Sequence, residues 1–212
     1  MSNEPELLPL QRDVQRAIGR ALLRFQHLER VLKGLVAGRF TSAMPGQAEA
    51  AAKQRLEQVM NSPLGWLKEE LLGKYLNPEG NVADESELDK AAARGHIAFR
   101  FNLEVPAQDH ASLSQHLSVV HERRNVVVHH FLDTFDLQSR ESCSAALAYL
   151  EETHQLLDTH QGEVLLFAEW AAKMNQVMAR QLQGPEFAAL LQAGREELAP
   201  PPKKKRRRRA RR

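Results

Sequence analysis

The chain has 212 residues, 42% hydrophobic and 26% charged, a balance that excludes collagen-like and wholly disordered classes and is long enough to bury a core. The formal net charge of +2 hides an asymmetry: nine of the last ten residues are basic, which leaves 20 basic against 27 acidic residues and a net −7 for the body. No stretch of 18 uncharged apolar residues occurs, so no membrane-spanning helix and no membrane partner are expected. Met1 to Glu6 lacks a basic segment followed by an apolar run, which predicts no secretory leader, and the single Cys143 fits a reducing cytoplasm.

Residues 10–37 predict a long amphipathic helix, because Leu10, Val14, Ile18, Ala21, Phe25, Leu28, Leu32 and Leu35 recur at three- and four-residue steps. Arg39 to Gly46, with Thr41, Ser42 and Pro45, reads as a loop, and 47–60 as an Ala-, Gln- and Glu-rich helix. Ser62-Pro63 offers an N-cap and a first-turn proline for a helix through Trp66, Leu67, Leu71, Leu72 and Tyr75, ended by Asn77 to Asn81. A short polar helix is expected over 84–96. Ile97 to Val105 alternates apolar and other residues with period two, a strand signal stopped by Pro106.

Helical periodicity returns over 109–135. Ser139 then caps another long helix, which reaches Leu182 with a possible break at Gly162. Gly184-Pro185 marks a turn before a short helix over 186–198, and Pro200-Pro201-Pro202 separates the tail. The expected fold is all-α: a helical bundle with two long antiparallel helices, shorter flanking helices and one short strand excursion near 97–105. The domain reading is a helical body over 1–199 and a Pro linker with a disordered basic tail over 200–212.

The chemistry-bearing stretch is His121-Glu122-Arg123-Arg124-Asn125-Val126-Val127-Val128-His129-His130-Phe131. On a regular helix Asn125 and His129 share a face, whereas Arg124 and His129 lie about 140° apart and meet only where the helix begins or bends. The set offers a permanent cation, an amide and a group titrating near neutrality. Those parts suit RNA cleavage by its own 2′-hydroxyl, in which an imidazole moves a proton and a guanidinium holds phosphate charge without a metal.

Arg124-Asn-Val-Val-Val-His129 resembles the Arg-x4–6-His signature of HEPN domains, with Asn125 as the polar residue after the arginine, and Arg124-x5-His130 also fits. The resemblance covers roughly residues 10–185. Within it, the leading helix and the RNVVVHHF-to-ALAYL stretch look like bacterial proteins related to the domain associated with OST-HTH modules. It implies a metal-independent endoribonuclease working as a homodimer with a composite site, in the manner of a toxin or antiphage effector under an antitoxin or other regulatory protein. Arg124 would grip the scissile phosphate, His129 would serve as acid or base, and Asn125 would position one of them. His130 and Arg123 rank second, Arg123 as an RNA contact. The family also contains members that only bind RNA or a protein, which is the alternative reading.

The tail residues Lys203, Lys204, Lys205, Arg206, Arg207, Arg208, Arg209, Arg211 and Arg212 would bind RNA, or DNA, through counterion release without reading sequence. No metal and no cofactor is expected: the nine histidines show no His-Glu-x-x-His spacing, and no Gly-rich phosphate loop occurs. Cys143, Trp66 and Trp170 read as packing residues.

Overall fold

A computed structural model describes residues 4–44, 46–81, 84–187, 189 and 192. The tail residues 203–212, and the linker before them, lie outside the described residues. The chain divides into two compact units, residues 1–171 and 172–212. In the second, the described backbone is the last stretch of a long helix up to Leu182 and a helical turn at 185–187.

The leading helix, α1 (Glu4–Gly38), buries Val14, Ala21, Phe25, Leu28 and Leu32, the face set by their three- and four-residue spacing. Then come β1 (Phe40–Ala43), α2 (Ala48–Met60) and α3 (Leu64–Glu70). Pro63, not Ser62, takes the N-cap of α3, and the Ser62 hydroxyl instead donates to the Gln58 carbonyl at 3.3 Å, closing the end of α2. The α3 helix runs on into a π turn, Leu71–Tyr75, which ends when the Leu76 N–H donates to the Leu71 carbonyl five residues back.

The remaining elements are β2 (Leu76–Pro78), α4 (Ser86–Ala93), β3 (Ile97–Arg100), β4 (Leu103–Val105) and α5 (Ala107–Asn125). A second π turn, Val126–His130, joins α5 to α6 (Phe131–Thr134), and α7 (Arg140–Leu182) follows. Ser139 Oγ accepts the Ser142 N–H at 3.0 Å, the capping bond its position predicts, and α7 passes Gly162 without a break.

The strand excursion at 97–105 is present in two pieces. β3 pairs antiparallel with β1, Phe40 opposite Arg100 and Ala43 opposite Ile97, while β4 pairs parallel with β2. Between them the Phe101 N–H donates to the Arg39 carbonyl at 2.8 Å. The stretch read as a loop at 39–46 therefore supplies a strand. Its four residues are too few to show a period, and its partner lies more than fifty residues away.

Ion pairs fix the helix directions. Arg123 on α5 meets Glu152 on α7 while His116 meets Glu163, so α5 runs antiparallel to α7. By contrast α1 runs beside α7 in the same sense: Gln11 donates to the Leu137 carbonyl just ahead of α7, and Arg24 donates to the His154 carbonyl. The core between these helices is aliphatic, with Leu28, Leu67, Val120 and Leu150 at its centre. Among the described residues no helix is long and apolar enough to cross a membrane.

Candidate active site

The site begins with a helix that carries one residue too many for its phase. Val126, Val127 and Val128 are poor helix formers, and packing decides their place: Val127 is buried, as are Val120 before it and Phe131 after it. The excess is absorbed by the π turn, in which the hydrogen bond spans five residues instead of four. Positions five apart then come to one side. Arg124 and His129 are five apart, and Arg124 Nη1 lies 3.1 Å from His129 Nε2. The π turn narrows the 140° separation of a regular helix, and the long arginine side chain spans what remains. No bend at a helix start is needed.

A guanidinium only donates, so His129 Nε2 is the acceptor in this contact and the neutral ring carries its proton on Nδ1. Arg124 Nη1 also reaches Asn125 Oδ1 at 3.5 Å, and Asn125 Nδ2 faces His121 Nε2 at 3.4 Å. On its other side Arg124 Nε lies 3.4 Å from the Glu29 carboxylate of α1, which in turn has Lys33 at 3.9 Å. Glu29, Lys33 and Gln26 also line an open cavity of about 280 Å³ with Arg30 and Met60. A cation, an imidazole and an amide therefore share one surface, with a carboxylate from a second helix holding the cation. His129 is exposed, and the apolar Val128 and Leu132 beside it are exposed as well.

The other residues of the motif go elsewhere. Arg123 turns onto α7, where its guanidinium lies 4.3 Å from the Tyr149 ring centre and 3.2 Å from Glu152. His130 pairs with Asp133 at 3.4 Å and stands edge-on to His129, their ring centres 6.3 Å apart. Of the two adjacent histidines, His129 faces Arg124. Sequence reasoning did not find Glu29 or Lys33 as members of the site, and it placed His121 in the motif stretch without giving it a role. For Glu29 no signal along the chain ties it to a motif about a hundred residues later. His121 sits four before Asn125, a helical spacing that could have been noted.

Among the described residues, one group has the donor types of a metal site: His116, His160 and Glu163, with ligand atoms within 4.8 Å of one another. Glu163 Oε2 lies 3.3 Å from His116 Nδ1 and 3.2 Å from His160 Nδ1, and the two rings are tilted by 32° with centres 4.2 Å apart. Both Nδ1 atoms converge on one carboxylate oxygen, so the group is a carboxylate bridging two imidazoles, with donor types that a metal ion also accepts. Buried Cys143 is held as a thiol, since burial and then Asp136 push its pKa up. Trp66 packs as expected, partly buried with the Arg55 guanidinium over its ring, whereas Trp170 is 41% exposed and is not a core residue.

No protein-family model, curated protein or solved structure matches the chain.

Proposed function

We propose that this chain is a metal-independent endoribonuclease of the HEPN type, with Arg124 and His129 as its reacting pair. The observation that carries the reading is the 3.1 Å contact between the guanidinium and the imidazole on an exposed surface, made possible by the π turn. In the reaction the RNA 2′-oxygen attacks the neighbouring phosphorus, the bond to the 5′-oxygen breaks, and a 2′,3′-cyclic phosphate remains. Once RNA draws Arg124 onto the phosphate, the His129 Nε2 lone pair that it leaves takes the 2′ proton, while the guanidinium balances the charge gathering on the phosphate oxygens. The leaving 5′-oxygen needs a proton from an acid, which a second copy of the same imidazole supplies in a homodimer. Exposed Val128 and Leu132 beside His129 support burial of this face against that second copy. The basic residues 203–212 gather RNA, or DNA, nonspecifically. A toxin or antiphage role in the cytoplasm, restrained by an antitoxin-like protein over the exposed histidines, follows as part of the same proposal.

The competing reading is a non-catalytic helical module that binds RNA or a protein. It is favoured by Glu29, which already engages Arg124 as a structural ion pair would. RNA cleavage in EDTA separates the two. Arg124→Ala and His129→Ala should each lower the rate by about 100-fold or more, with cyclic phosphate ends on the wild-type products. Equal rates for wild type and both variants on several RNA pools would eliminate the nuclease. Removing residues 203–212 should raise KM and flatten its salt dependence while leaving kcat in place.

A further inference from the structure

A second place on the molecule gathers positive charge around an open space. A cavity of about 400 Å³ lies between α2, α4 and the β1–β3 pair, within the size range of small-ligand sites. Arg55 reaches it from α2, Lys90 from α4 and Arg94 from the cap just past α4, with Glu87 as the lining carboxylate. That carboxylate is already taken, since Arg39 donates to it at 2.8 Å from a fully buried position. Arg55 lies 3.7 Å from Glu70, but Glu70 is shared with Lys74 at 2.5 Å and Arg39 at 3.8 Å. Lys90 and Arg94 make no ion pair among the described residues, although both stand on the cavity wall.

Two further features belong to residues of the same wall. Arg55 Nε is buried without a hydrogen-bond partner, a state that costs free energy unless an acceptor arrives. On the strand floor Ser42 Oγ lies 3.0 Å from His96 Nδ1, placing a hydroxyl and an imidazole beside the three cations. Guanidinium and ammonium donors around a polar floor suit an anion with several acceptor oxygens, which a phosphate monoester provides.

We infer that this cleft is a binding site for a phosphate monoester carried on a small polar molecule. The juxtaposition behind it is three lining cations against one carboxylate that another arginine already holds. The site is separate from Arg124 and His129 and stands whether or not the chain cleaves RNA.

Calorimetric titration of the full-length protein with inorganic phosphate, 5′-AMP and adenosine tests it. Saturable binding of 5′-AMP is expected, with none for adenosine, and the double variant Lys90→Gln/Arg94→Gln should weaken it about tenfold or more. Both side chains are exposed, so this variant should keep the wild-type unfolding midpoint. Arg55→Lys, which keeps the charge but loses the Nε donor, should weaken binding less. The basic tail is present in every sample, so its own affinity for anions cancels in the comparison. Inorganic phosphate binding as tightly as 5′-AMP would assign recognition to the phosphate alone. Tighter 5′-AMP would assign part of it to the rest of the nucleotide. The inference is overturned if 5′-AMP does not bind saturably, if adenosine binds equally well, or if the double variant binds like wild type.

Discussion

Glu29→Gln is the most informative single change near Arg124. The carboxylate sits 3.4 Å from Arg124 Nε, with side-chain exposures of 17% for Glu29 and 26% for Arg124. At that distance the attraction is about 1.2 kcal/mol in the dielectric of water and about 5 kcal/mol at an effective dielectric of 20. Both groups are partly open to solvent, so the lower end applies, near ~1 kcal/mol. In the nuclease reading this carboxylate competes with the scissile phosphate for one guanidinium. Neutralising it should therefore tighten RNA binding about fivefold, since ~1.4 kcal/mol corresponds to tenfold. Anisotropy titration with a short RNA made uncleavable by 2′-deoxy substitution measures the effect, and thermal unfolding checks that Glu29→Gln costs no more than ~1 kcal/mol of stability. In an Arg124→Gln background the gain should shrink below about twofold, the signature of two coupled positions. If Glu29→Gln binds RNA no more tightly, or the gain survives intact without Arg124, the carboxylate does not hold the guanidinium back from phosphate.

Three further outcomes follow from the same coordinates. Burial, then Arg24 and Arg20, hold the His154 pKa below its ordinary 6.5. The folded state therefore refuses a proton that the unfolded chain accepts, so stability is complete above about pH 6.5 and falls as the pH drops from there towards the depressed folded value. Urea midpoints between pH 7.5 and 5.5 should show that decline, and His154→Gln should flatten it. Leu28→Ala, at a side chain only 1% exposed in the middle of α1, should cost about 2.7–5 kcal/mol by urea unfolding. A cost below ~1 kcal/mol would contradict the placement of the core. Glu163→Gln replaces the oxygen that faces both His116 and His160, and should lower the urea unfolding midpoint, whereas an unchanged midpoint would show that this bridge does not hold the two helical stretches together.

Much of this architecture was legible along the chain because one-dimensional periodicity records which face is buried. The steps from Val14 to Leu32 set the inward side of α1, and the alternation from Ile97 to Val105 marked the only extended stretch with a visible period. Residue types also carried the Arg124, Asn125 and His129 grouping, which the coordinates bring together. What stayed hidden depends on phase and on distant partners. The rule of 100° per residue put Arg124 and His129 on different sides, because a π turn leaves no composition signal beyond a run of valines. The four residues of β1 gain their strand identity from β3, and Glu29 joins the site only through the packing of α1 on the motif helix. Likewise the wall made by Arg55 on α2, Lys90 on α4 and Arg94 just past it carries no shared sequence mark.

The winding at Val126–His130 has a consequence for how this protein tolerates length change. A surplus residue lodged in a helix is a stored insertion, and shedding it returns the strand of backbone to ordinary pitch. Excising Val128, which is already 39% exposed, would leave Arg124 and the former His129 four apart, about 40° round a regular helix, with Phe131 still able to reach its hydrophobic seat. The seam therefore lets the two flanking helical stretches keep separate registers, and a one-residue loss there is absorbed locally instead of rotating everything downstream.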